Sequence, residues 1–228
     1  MSEKSRNILQ YIILLGCIPA VILLGALLFN GKQYAWVSLC ITILACVPFF
    51  MMFEKGKSGT KQMIIIAVMV AITVIGRIIF SAIPGFKPVT ALVVITAMYF
   101  GSQAGFMTGA LSAIISDFYF GQGAWTPFQM FVWGLIGLLA GLFAKHLKKS
   151  SILLIIFGVF SGIIFSILMD VWTVLWWDGT FNFQRYIAAI ISAAPFTLIY
   201  AISNVVFLIL LNKPIGSKLE RIKDKYGL

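Results

Sequence analysis

Charge is the scarcest commodity in this chain. Only 11% of its 228 residues are Asp, Glu, Lys or Arg, and 7 of them are acidic. A soluble domain carries about 25% charged residues, so an ordinary water-soluble globule is excluded. The single histidine, His146, sits in a lysine cluster, which argues against a metal centre and against imidazole acid–base catalysis. Cys17, Cys40 and Cys46 lie in apolar runs at spacings that suit neither a zinc site nor a redox pair. They read as small buried residues. No phosphate loop ending in Lys-Ser or Lys-Thr occurs, so the chain is not expected to hydrolyse ATP itself. HExxH and GxSxG are also absent, which leaves no assembled set for an intramembrane enzyme.

What fills the space is apolar. Hydrophobic residues make up 61% of the chain, and the mean hydropathy is +1.03. A bilayer core needs about 20 apolar residues per helix. The pattern predicts an all-α polytopic helix bundle with spans near 8–29, 35–53, 62–83, 89–100, 104–120, 127–145, 151–175 and 187–212. The fourth and fifth are short and joined by Gly101-Ser102-Gln103; one long helix over 89–120 is the rival. Parity separates the two. With a break, the clusters at Lys4 and Arg6, at Lys55, Lys57 and Lys61, at Lys145, Lys148 and Lys149, and at Lys213 to Lys225 share one side. Only Lys32, Lys87 and Arg185 face the other. The positive-inside rule therefore predicts eight spans in the plasma membrane, with both termini cytoplasmic. The net charge of +10 reflects this orientation rather than nucleic-acid binding. The N-terminal run is long and interrupted by Pro19, so it does not read as a cleaved signal.

The charged stretch Glu54 to Lys61 is a seam. It divides the chain into a transmembrane hairpin with its basic loop over 1–61, a six-helix body over 62–212, and a basic tail over 213–228 expected to lie on the cytoplasmic surface. Ionisable residues inside spans are costly and usually face a cavity or a partner. Arg77, Asp117 and Asp170 are of this kind, all expected toward the outer side. Two acids face one base, so a structural ion pair and a polar pocket can coexist. Around that level lie Gln122, Trp125, Gln129 and, one helical turn on, Trp133. Further on, Asp170, Thr173 and Trp177 share a helical stripe, with Asn182 beyond it. An interfacial aromatic belt accounts for Trp172, Trp176 and Tyr186. It does not account for the amides, which fit a concave site for a small organic ligand. Lys87, in the stiff Pro84-to-Pro88 loop, stands at the expected mouth. Ala67 and Ala71 form a small-xxx-small pair on the cytoplasmic half of the third span, suited to close helix contact.

The body resembles the substrate-binding S component of energy-coupling factor (ECF) vitamin transporters over roughly 62–212. The resemblance rests on Ala67 and Ala71, the Gly76-Arg77 pair, the Gly85-Phe86-Lys87-Pro88 loop and the stretch from Phe100-Gly101 to Gly109. It rests further on Phe120-Gly121-Gln122-Gly123-Ala124-Trp125-Thr126-Pro127-Phe128-Gln129-Met130. That last block looks like the S components assigned to cobalamin or its precursors. The resemblance implies a six-helix fold that binds a vitamin near the outer surface. It implies docking through Ala67 and Ala71 onto a transmembrane coupling subunit, with two cytoplasmic ATPases using ATP and Mg. No cofactor is implied in this chain. The extra N-terminal hairpin departs from the six-helix plan.

The expected function is thus the non-enzymatic, solute-binding membrane subunit of an ATP-driven importer. Ligand contacts are expected from Arg77, Lys87, Asp117, Gln122, Trp125 and Gln129, and from Trp133, Asp170, Thr173, Trp177 and Asn182. Two other readings stand beside it. One is a stand-alone secondary or facilitative transporter with Asp117 and Asp170 as proton carriers. The other is a membrane scaffold in which the same charges are structural.

Overall fold

Long apolar runs punctuated by Gly and Pro fold here into a bundle of helices, with no strand among the described residues. The computed structural model describes residues 8–9, 11–29, 40, 44, 57–178 and 181–228. Most of the expected second span, 35–53, lies outside that set, as do Lys4, Arg6, Lys32 and Lys55. The helices are α1 (Ile18–Phe29, preceded by a π-helical turn at Ile13–Cys17), α2 (Lys57–Ile79), α3 (Val89–Phe100) and α4 (Ser102–Phe120). They continue with α5 (Thr126–Leu142), the short α6 (Ala144–Lys149), α7 (Ser151–Asp178) and α8 (Phe183–Tyr226).

The stretch 89–120 is two helices. Gly101 has φ +91°, a conformation that residues with a Cβ rarely adopt. Its N–H closes α3 on Ala97 O at 2.9 Å. Pro88 precedes α3 and Pro127 opens α5, both positions where a missing N–H costs little. Of the twelve residues of α3, eleven are buried, so this short helix is the axis of the bundle. At 1.5 Å per residue it is about 18 Å long, shorter than a bilayer core, and protein rather than lipid surrounds it.

Among the described residues, three helices are long and apolar enough to cross a membrane: Thr60–Ile79 within α2, α7 and α8. About a third of each apolar window is buried. The remainder is an outward apolar surface that water would not tolerate over such an area.

The closest packing joins α4 to α5. A Cβ on Gly105 would come within 2.5 Å of Gly137 O, and one on Gly137 would strike the Gly105 carbonyl. Gly109 in the same way meets the Trp133 carbonyl, and Gly141 meets Ser102 N. Glycines at four-residue spacing on both helices let the backbones touch. Helix α1 packs against α5 and α7, with Ile18 and Ile22 buried.

The basic stretch after 212 does not break from the last span. It continues α8 through Pro214 to Tyr226. Leu219 is buried, and Lys223 Nζ donates to Tyr99 O at 3.2 Å. The far end of α8 is therefore strapped across the end of α3.

Candidate functional site

At the opposite end of α3 a cavity of about 250 Å³ opens among α2, α3, α5, α7, α8 and the loop between α2 and α3. Its polar wall carries Arg77, Lys87, Thr90, Gln129 and Asn204; its aromatic wall carries Trp133, Phe165 and Tyr200.

The polar wall is built on one buried charge pair. Arg77 Nη1 donates to Asp117 Oδ1 at 2.7 Å and also to Ser116 Oγ. Asp117 is fully buried. Its other oxygen accepts from Thr126 Oγ1 at 2.8 Å. The Gln129 amide, oriented by its partners, brings its nitrogen within 3.1 Å of both carboxylate oxygens. Asp117 is thus saturated with donors. Arg77 is not, because its buried Nε has no partner. The guanidinium lies against the Phe120 ring at 4.5 Å and the Trp133 ring at 5.0 Å, so aromatic faces stabilise the cation where water is excluded.

The aromatic wall is ordered by mutual contact. Trp133 stacks on Phe165 with centroids 5.4 Å apart. Phe165 meets Tyr200 edge-to-face at 5.3 Å. Trp133 owes its position to Gly109, where the missing Cβ lets α5 approach.

The loop of residues 80–88 closes one side. Ser203 Oγ accepts from Lys87 N at 2.9 Å and donates to Lys87 O at 3.1 Å, which fastens the loop to α8. Gly85 has φ +74°, and a Cβ there would come within 3.1 Å of Ile199 and Tyr200. Phe80, Phe86 and Phe207 pack together beneath the loop, the last two with centroids 5.0 Å apart. Lys87 Nζ lies 4.9 Å from the Phe120 ring. Burial pushes the Lys87 ammonium below its ordinary range; Arg77 adds to this and Asp117 partly opposes it.

The structure gathers Arg77, Lys87, Gln129 and Trp133 on the cavity wall, with Asp117 directly behind them. The remaining expected contacts have other occupations. Gln122 Nε2 donates to Ile114 O at 3.0 Å, which holds the end of α4. Trp125 meets Trp172 edge-on at 6.0 Å. Thr173 bonds back to Met169 O. Trp177 is 72% exposed and belongs to the outward aromatic surface. Asn182 caps α8, its side chain accepting from Arg185 N at 3.1 Å. Asp170 is buried with an unpartnered Oδ2. It sits close enough to Tyr200 and Tyr186 to act on them electrostatically, yet it is not among the residues lining the cavity.

Sequence reading missed Thr90, Phe165, Tyr200 and Asn204. The Ser203-Asn204 pair carried a usable signal, since two polar residues interrupt an otherwise apolar span. Phe165 and Tyr200 carried none, because an aromatic in an apolar helix reads alike whether it faces lipid or ligand. Asn204 Nδ2 donates to Gly158 O at 3.1 Å, which leaves its carbonyl oxygen as the group it can offer at the wall. The cavity thus presents cationic donors, an amide acceptor and stacked rings, which suits a planar molecule carrying electronegative atoms at its edge. Among the described residues no cluster has the composition of a metal site.

The family model described as ECF-type riboflavin transporter, S component, matches residues 57–221. The match begins within the charged stretch Glu54 to Lys61 and does not include the residues before it. No curated protein and no solved structure matches the chain.

Proposed function

We propose, from the chain's place in the ECF-type riboflavin transporter S-component family, to which it belongs, that it captures a vitamin-type molecule outside the cell for an ATP-driven importer. The observation that carries this reading is the cavity itself. It has a preorganised cationic and aromatic wall at one end of a membrane bundle, and the basic residues collect at the other end. By the positive-inside rule the cavity end faces outward and both termini are cytoplasmic. The Arg77 guanidinium and Lys87 receive electronegative edge atoms of the ligand. Trp133, Phe165 and Tyr200 hold its ring.

Two ligand classes follow. The family's name points to a flavin. The Phe120-to-Met130 block points to cobalamin or a precursor. The cavity volume of about 250 Å³ lies just below the range of about 300–1,000 Å³ usual for small-molecule sites. That favours a compact planar ring over a corrinoid, and riboflavin is the first ligand to test.

The partner surface is the outward face of α2. Ala67 and Ala71 are exposed there, beside Ile64, Val68 and Ile75, while α1 packs against α5 and α7 instead. This supports docking of a transmembrane coupling subunit on α2, with two cytoplasmic ATPases completing the importer.

Saturation of Asp117 by its donors weighs against a lone proton-coupled transporter, since a proton carrier must exchange its proton. The experiment is identification of the small molecule that co-purifies with the full chain, followed by titration of riboflavin and cobalamin. Asn204→Ala and Trp133→Ala are expected to weaken binding, and Ala67→Trp to abolish assembly with the coupling subunit while leaving binding intact. No binding of any vitamin by folded protein, or ATP-independent uptake by the chain alone in vesicles, would overturn the proposal.

A further inference from the structure

The end of the bundle away from the cavity carries a second arrangement that ligand capture does not use. Helix α6 and the final turns of α8 bring eight basic residues against two acidic ones over 144–149 and 213–225. Two of the basic residues converge on Tyr99 from different helices. Lys148 Nζ stands 3.9 Å from the Tyr99 ring centroid, and Lys223 Nζ donates to Tyr99 O. The approach of α8 depends on Gly216, where a Cβ would come within 2.5 Å of the Tyr99 hydroxyl.

The pairing is electrostatically incomplete. Burial pushes the Lys148 ammonium below its ordinary range, and Lys223 pushes it further; Glu220 and Asp224 act in the opposite direction. Among the described residues the contact ion pairs are Arg77–Asp117 and Arg185–Asp178. The two lysines thus share a site with no carboxylate in contact. Their level on the bundle is informative. Leu142 and Phe143 immediately precede α6, Ile152 and Leu153 follow it, and all four are exposed. The basic groups therefore stand where an outward apolar surface ends, the depth at which lipid phosphates lie.

We infer that this face binds anionic phospholipid, with one headgroup phosphate seated between Lys148 and Lys223. A phosphate there supplies the direct contact anion that Glu220 and Asp224, acting from a distance, do not, and the acyl chains run along the apolar surface beside α6. An acidic protein surface would supply charge equally well, but it would not need the flanking apolar side chains to be exposed at the same level.

The test is lipid retention by the full chain, purified from mixed vesicles of phosphatidylglycerol and phosphatidylcholine and read by native mass spectrometry. Phosphatidylglycerol is expected to be retained preferentially. In the Lys148→Gln/Lys223→Gln variant the preference is expected to fall about 25-fold, or about fivefold per lysine at an anionic surface. Lys148→Arg/Lys223→Arg is expected to restore it, and Arg185→Gln, at the other end, to leave it unchanged. Equal retention of both lipids overturns the inference. So does a preference indifferent to the lysines, or one abolished by millimolar inorganic phosphate, which would mean a bare phosphate site. So does loss of coupling-subunit binding in the double Gln variant with lipid retention unaltered. Vitamin binding by the same variant is expected to be normal, so this result and the ligand reading stand or fall separately.

Discussion

Removing Asp117 alone should cost far more stability than removing it together with Arg77. The carboxylate is fully buried and lies 2.7 Å from the guanidinium. With an effective dielectric of about 20, two unit charges at that separation attract by roughly 6 kcal/mol. Desolvating both ions offsets much of this, so the net worth of the pair is small. Asp117→Ala removes the attraction but leaves Arg77 buried and charged, and breaking a buried pair in this way costs about 3–5 kcal/mol. The Thr126 hydroxyl and Gln129 amide lose their acceptor as well. Asp117→Leu with Arg77→Met removes both charges and fills the volume, and should lie within about 1–2 kcal/mol of the parent. Thermal unfolding in detergent, followed by a dye on the native cysteines or by size exclusion, measures both. The single variant is expected to lose most of its folded yield and the double variant to recover it. Ligand titration then separates structure from recognition: the rescued double variant should still fail to bind, because the Arg77 guanidinium is gone from the cavity wall. If the double variant folds and binds at parental affinity, Arg77 is only a strut and its assignment to the ligand is wrong.

Ser203→Ala removes both bonds that fasten the loop of residues 80–88. At about 1 kcal/mol net per bond, ligand release is expected to accelerate at least fivefold with little change in association, as stopped-flow dissociation would show. Gly137→Val forces a branched side chain onto the Gly105 carbonyl. Overpacking of that kind costs at least about 1–3 kcal/mol, so folded yield should fall, while Gly16→Ala, which meets nothing within 4 Å, should be silent in the same assay. The lowered Lys87 pKa has a signed consequence. The folded state disfavours the charged form, so stability rises as pH climbs from the folded pKa toward the unfolded value of 10.5. Affinity for an electronegative ligand should move the other way and weaken as Lys87 discharges, below the pH at which a free lysine would. Titration of binding against pH, with Lys87→Met expected to flatten the profile, is the measurement.

Much of this was legible in the chain itself. Scarce charge and long apolar runs required a helical bundle with a lipid-facing surface. The one-sided placement of the basic clusters favoured a break at Gly101-Ser102-Gln103 between two short apolar segments. Arg77 and Asp117 were conspicuous because a lone charge inside a span is too costly to be incidental. Composition could not say which acid Arg77 would choose. Asp117 and Asp170 are equally acidic and equally embedded, and only the crossing of α2 and α4 puts one of them within bonding distance. Nor could periodicity rank the tryptophans. Trp133 faces the cavity and Trp177 faces outward because Gly109 draws α5 inward, whereas Trp177 sits near the free end of α7. The glycine seam itself was present in the sequence as Gly105-x-x-x-Gly109 and Gly137-x-x-x-Gly141. The same spacing occurs by chance in apolar helices, so it acquires meaning only when a second helix is seen to fill it. Solvent preference is a property of each residue, and so the sequence determines which segments enter the membrane. Which side chains meet inside it depends on how helices cross, and the tertiary structure alone decides that.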